Sequence, residues 1–255
     1  MENNNYWIKR AKKYDKLAIK EADKVVALYK KELVKTKKAI KAQLAAAIMD
    51  NKGITEYEKY RLESIVSEIN IELDRLFNEE EGMLNKLLIS HYDEIYSTLS
   101  KELSSGVSFG HLSSGNVQKA LAVKWSGANY SERIWERRRK LGFTVKEIIT
   151  AGFQRGDSIE DMSRLLADKM DANLFNARRL IHTETRYIQT AATIDSFSDN
   201  KVEEYEYLAL LDSKTSKLCR SLDGQIFLVS DARVGVNAPP LHCFCRSAIM
   251  PVIKR

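Results

Sequence analysis

The residues of this sequence best suited to chemistry are three cysteines and a histidine near its C-terminus. Cys219 stands apart, while His242, Cys243 and Cys245 fall within four positions of one another. Thiolate and imidazole are ligands that zinc prefers. Cys219, His242 and Cys245 therefore form a candidate metal set, with Cys243 as a further candidate, and zinc is the cofactor the set would take. Cys219 lies just before the turn signal Asp223-Gly224, and the other three follow Pro239-Pro240, so turn geometry can bring the two groups together. The spacing is not that of a zinc finger, because no paired C-x-x-C knuckle is present. A small β core with reduced thiols and a hydrogen-bonded histidine fits the same residues, and both readings stay open.

Two other groups attract attention. In His182-Thr183-Glu184-Thr185-Arg186, a helix would put His182 and Arg186 on one face at four-residue spacing, with Glu184 elsewhere. Acid–base catalysis would need a second carboxylate or histidine in a cleft, so Glu184 reads as a structural carboxylate. Arg133, Arg137, Arg138, Arg139 and Lys140 surround Trp135 as a basic patch, which can grip phosphate or form the charged face of a helix whose tryptophan is buried. The sequence has no phosphate-cradling glycine loop, no H-E-x-x-H and no Ser-His-Asp order, and we expect a binding protein rather than an enzyme.

The elements that position these groups read mostly as helices. Only 3 prolines and 11 glycines interrupt 255 residues, so a helical chain is the first expectation. Residues 6–48 place Leu17, Val25, Leu28, Tyr29, Leu33, Ile40 and Leu44 near one stripe, with lysines opposite. Thr55 is expected to cap a second helix that Gly82 interrupts, and a third pattern runs over residues 83–103. Residues 104–116, SSGVSFGHLSSGN, read as a linker or loop. Beyond it come separate helices over 131–141, 144–153 (Thr144 as cap, Glu147 completing a capping box), one capped by Ser158 with Asp161, and one starting at Asp171. After Asn200 the period changes to two: Tyr205, Tyr207 and Ala209 alternate with Glu204, Glu206 and Leu208. Strands are expected over 205–209, 225–229 and 248–253, the last at an edge or broken because Pro251 cannot donate to a ladder. The fold expected is mainly α, with long N-terminal helices and a helical body ending in a small antiparallel β module.

Charge is distributed unevenly along this frame. The net charge is +6, but residues 1–48 carry +8, residues 49–100 carry −7 and the remainder +5. The basic arm, with Lys12, Lys13, Lys16 and Lys20, can meet the phosphates of double-stranded DNA. A solvated lysine face, or pairing with the acidic segment of the same chain, explains it as well. No stretch reaches the roughly 18 apolar residues of a membrane span, so no membrane partner is expected. The polar start lacks a signal core, and synthesis in the cytoplasm is expected.

Residues 125–251 resemble the head morphogenesis (Mu F-like) family of tailed bacteriophages. The resemblance rests on Tyr130-Ser131-Glu132-Arg133-Ile134-Trp135, on Ala151-Gly152-Phe153-Gln154-Arg155-Gly156-Asp157-Ser158, on Ala177-Arg178-Arg179-Leu180-Ile181-His182-Thr183-Glu184-Thr185, and on Leu211-Asp212-Ser213-Lys214-Thr215. Cys219-Arg220-Ser221-Leu222-Asp223-Gly224 and Ala238-Pro239-Pro240-Leu241-His242-Cys243-Phe244-Cys245-Arg246-Ser247 complete it. Members with a fuller cysteine set carry cysteine where this chain has Ser216 and Ser247. The residue pattern divides the chain into a helical region over 1–103 with its basic arm and the linker over 104–116, and the resemblance implies that 117–255 is a head-morphogenesis domain. In it Glu184, Asp212, Asp223, Gly224 and Arg246 are polar scaffolding. It implies a minor head protein in the virion head, met in the host cytoplasm during assembly, whose partners are the portal and the major capsid or scaffold proteins. Two rivals remain at this point: a zinc-containing nucleic-acid module or enzyme, and a phage-derived protein reused as a secreted effector.

Overall fold

A computed structural model of the chain describes residues 2–48, 56–103 and 114–252. Within them the order is α1 (Glu2–Ile48), α2 (Glu56–Leu103), α3 (Ser114–Ala122), α4 (Tyr130–Arg155), α5 (Ile159–Asp199), β1 (Glu204–Leu208), α6 (Lys217–Leu222), β2 (Ile226–Leu228), a short 3-10 turn and β3 (Ala248–Val252). The mainly helical body with a small antiparallel sheet at its end agrees with the alternation and periodicity of the sequence. The Thr55 cap and residues 104–113 of the expected linker lie outside the described residues; Ser114 already begins α3.

The helices are longer than local signals indicate. Gly82 does not interrupt α2. It faces open space, where glycine costs about 1 kcal/mol against alanine. Buried Leu73, Leu76 and Phe77 before it and Leu84 and Leu88 after it outweigh that cost. Thr144 is no cap, because α4 runs through it with Leu141, Val145, Ile148 and Ile149 on one buried stripe. Gly142 in that helix is a close-approach residue: an added Cβ would lie 2.7 Å from Arg138 Nη1 and 3.0 Å from Asn70 Oδ1. Asp171 starts nothing either. It sits exposed in mid-α5, where its Oδ1 is 2.5 Å from Lys37 Nζ, while Met170, Asn173, Ala177 and Leu180 keep the stripe buried.

The break that does occur, between α4 and α5, has a complete chemical cause. Gly156 adopts φ +73, which glycine tolerates without strain. Its N–H donates to Phe153 O at 3.2 Å and that of Asp157 to Gly152 O at 2.9 Å, the paired bonds of a Schellman close. Ser158 then caps α5, its Oγ accepting from Asp161 N at 3.1 Å.

The chain divides into two compact units. One holds Lys24–Met83 and Ser131–Arg178. Its interior contains a buried ion pair: Glu80, fully buried, accepts from Arg137 Nη2, whose Nη1 reaches Asn173 Oδ1 at 2.9 Å. The other unit holds Met1–Asp23, Leu84–Tyr130 and Arg179–Arg255, including the sheet. There the order is β2-β1-β3, all antiparallel, with Tyr205 opposite both Phe227 and Pro251. Pro251 therefore stands on an edge strand, where its missing donor is tolerated. Tyr205 and Tyr207 are fully buried on one side of β1, each burial being favourable by about 1.5–3 kcal/mol. Tyr205 packs with Trp7, Leu99, Phe197, Ile249 and Met250; Tyr207 packs with Cys219 and Cys245.

Candidate functional site

The cluster around Tyr207 gathers the candidate metal set. Ser216 caps the short α6, its Oγ accepting from Cys219 N at 3.1 Å, and this first turn holds the Cys219 side chain inward. The strand exit before α6 and the turn after it are fixed by Asp223, whose Oδ1 accepts from Ala209 N at 2.8 Å, and by Gly224 at φ +77. The second half of the set lies on the loop after Pro239-Pro240. There Phe244 adopts φ +57 and Cys245 N donates to His242 O at 3.2 Å. This tight turn sends neighbouring thiols apart: Cys245 is buried and Cys243 exposed.

The result is a compact group of three. Cys219 Sγ is 3.3 Å from His242 Nε2 and 3.8 Å from Cys245 Sγ, and the three ligand atoms lie within 4.8 Å of one another. Cys243 is not in the group. The donor set suits zinc in type and in number of soft ligands. Burial pushes the Cys219 thiol up, but hydrogen bonds involving Ser216, Ser247 and Tyr207 outweigh it and hold the thiol below its ordinary value. Burial leaves Cys245 above its ordinary value. The thiolate is the form in which sulfur is a nucleophile or a ligand.

The loop is supported from α5. Arg186, buried, donates from Nε to Cys245 O at 3.2 Å, from Nη1 to Gln189 Oε1 at 3.0 Å and from Nη2 to the Asp15 carboxylate of α1. Phe244 N donates to Thr183 Oγ1 at 3.4 Å, and the Phe244 ring lies 5.5 Å from that of His182. His182 Nε2 meets Asp23 Oδ1 at 3.2 Å. Glu184 is elsewhere: it is 1% exposed, and its Oε2 accepts from Trp125 Nε1 at 3.1 Å. Trp125 in turn stacks on Tyr187 at 5.3 Å.

Asp212 and Arg246 close the outside of the module. Arg246 Nη2 meets Asp212 Oδ2 at 2.5 Å, and Asp212 Oδ1 accepts from Lys214 N at 2.8 Å. The Arg246 guanidinium, the Lys214 N–H and Thr215 hold this carboxyl down from 3.8 to about 2. A depressed carboxyl stabilises the fold above its unfolded value and loses that contribution as pH falls through the folded one. An acid titration should therefore show a wild-type advantage over Asp212→Asn that is full above pH 3.8 and fades towards pH 2. Parallel stability curves for the two proteins across that range would show that the pair contributes nothing.

The basic candidates fall into two kinds. Lys12, Lys13, Lys16 and Lys20 are exposed on α1, and three of them recur every fourth residue, away from buried Trp7, Ala11, Tyr14 and Ala18. Arg139 is exposed, whereas Arg137 serves Glu80 and Arg138 Nε meets Asp74 Oδ1 at 2.5 Å. Trp135, expected as a core anchor, is partly buried and donates to Glu81 Oε2 at 3.0 Å. Among the described residues no helix is long and apolar enough to cross a membrane.

Residues 143–250 match the model of a family described as Phage Mu protein F like protein. The matched segment runs from mid-α4 into β3. Neither the curated proteins nor the solved structures contain a significant match to this chain.

Proposed function

We propose that this chain is a minor head protein of a tailed bacteriophage, and that it works beside the portal by binding rather than by catalysis. The observation that carries the reading is the family match over residues 143–250, which takes in the second half of α4, all of α5 and the sheet as far as Met250. In this reading the helical surfaces dock on portal, scaffold or major capsid proteins in the procapsid. The chain resides in the virion head, after assembly in the host cytoplasm, and supports packaging, retention or ejection of DNA.

The α1 lysines supply the DNA contact, with Arg139 as an addition, while Arg137 and Arg138 belong to internal ion pairs. Each phosphate neutralised adds about 0.9 to the slope of log K against log salt. Changing Lys12, Lys13, Lys16 and Lys20 together to glutamate should lower the magnitude of that slope by about 3–4 on duplex DNA. An unchanged slope in filter binding would remove DNA from the reading. Co-expression with the portal protein of the same phage tests the docking: a complex should survive gel filtration, and separate elution would count against portal attachment.

The Cys219, His242 and Cys245 cluster favours a second reading, a zinc-bearing enzyme acting on nucleic acid. Against it, Glu184 is buried and held by Trp125, the setting of a structural carboxylate rather than of a general base. Turnover of DNA or RNA, lost in His242→Ala, would establish that reading.

A further inference from the structure

We infer that Cys219, His242 and Cys245 bind one zinc-like divalent cation as a three-ligand site, with Cys243 outside it and the fourth position open towards solvent.

The first support is distance. With Zn–S near 2.3 Å and Zn–N about 2.0–2.1 Å, tetrahedral angles put two sulfurs about 3.8 Å apart and a sulfur and a nitrogen about 3.6 Å apart. The chain has 3.8 Å between its two sulfurs and 3.3 Å between Cys219 Sγ and His242 Nε2. The sulfur edge already has the length a cation needs. The second edge asks for a shift of about 0.3 Å from an exposed ring.

The second support is the state of the histidine. His242 Nδ1 lies 2.8 Å from Cys243 O, and a carbonyl oxygen only accepts. Nδ1 therefore carries the proton, and in neutral imidazole the lone pair is left on Nε2, the atom that faces the sulfurs. A backbone carbonyl behind the non-ligating nitrogen is how metal-bound histidines are oriented. Tyr207 Oη, 3.5 Å from Cys219 Sγ, donates to the sulfur from the buried side.

The third support is the asymmetry of the site. Cys219 and Cys245 are each 2% exposed, while His242 faces solvent. The φ of +57 at Phe244 turns Cys243 away, so the nearest extra thiol is not positioned to close the shell. Closed structural sites use four protein ligands, whereas three ligands leave a position for water or an incoming group. Bound there, the cation ties α6 to the loop that carries Cys245, whose carbonyl accepts from Arg186. This site is separate from the assembly reading and stands or falls without it.

The test uses the full chain, stripped of metal and titrated with Co2+ under reducing conditions. One equivalent should bind and give the visible bands of a tetrahedral thiolate site. Cys243→Ser should bind equally well. Cys219→Ser and His242→Ala should each lose at least about 100-fold in affinity, more than the loss of an outer-sphere partner causes. His242 is exposed, so far-UV circular dichroism should show His242→Ala folded even if Cys219→Ser is not. Added imidazole should shift the bands of the wild type by entering the open position. No binding by the wild type, or a loss in Cys243→Ser as large as in His242→Ala, overturns the three-ligand assignment. Bands indifferent to imidazole overturn the open fourth position.

Discussion

Replacing Arg186 with alanine is expected to lower the unfolding free energy by about 3–5 kcal/mol, the range for breaking a buried ion pair from one side. The guanidinium lies inside its unit and meets the carboxylate of Asp15, the amide oxygen of Gln189 and the carbonyl of Cys245. Its removal leaves Asp15, only 8% exposed, with its principal buried cation gone. The double change Asp15→Leu with Arg186→Met should cost less than Arg186→Ala alone, because it leaves no buried charge behind. Urea unfolding followed by far-UV circular dichroism measures both. A loss below about 1 kcal/mol for Arg186→Ala, the range of a surface pair, would show that this network does not hold α1 to α5.

An effect of similar size is expected at Arg137. Alanine there strands Glu80 in the interior of the unit that holds Lys24–Met83 and Ser131–Arg178, again at a cost of about 3–5 kcal/mol. Burial pushes the Glu80 carboxyl above 4.5, and Arg137 pulls it back. Without the arginine the folded value rises further, so the variant takes up a proton on folding. A raised carboxyl contributes stability that is present below its unfolded value and lost as pH rises through the folded one. The deficit of Arg137→Ala against wild type should therefore deepen as pH rises above 4.5, while the deficit of Glu80→Gln should shrink, because the wild-type carboxyl is itself raised and glutamine does not titrate. A deficit of Arg137→Ala that is independent of pH would mean that Glu80 remains ionised without its partner.

The helices and strands were legible where the pattern was periodic over many residues. The stripe of α1 and the two-residue alternation around Tyr205 and Tyr207 report burial directly. Breaks were less legible. Gly82 and the Thr144–Glu147 pair carry the local chemistry of helix ends, yet α2 and α4 continue through them because buried residues on either side keep their stripe. The end of the segment before the Ser158 cap was legible, and two backbone bonds close the helix there at Gly156.

The candidate site was legible as a set of residue types and not as a geometry. The separation of Cys243 from Cys245 depends on one positive φ at Phe244, which no spacing rule announces. Ser216 and Ser247, which stand where fuller cysteine sets have thiols, both hydrogen-bond at Cys219. The partner of Arg186 is Asp15, at a sequence separation of 171, and those of Arg137 and Arg138 lie 57 and 64 positions away. A basic patch is visible in sequence, whereas the carboxylates that occupy two of its members are set by tertiary packing.

The central claim, that the chain is a head component linked to the portal, is tested most directly by quantitative mass spectrometry of purified procapsids and virions of its phage. A few to some tens of copies per particle are expected, lost when the portal gene is deleted. Absence from both particle types would contradict the account.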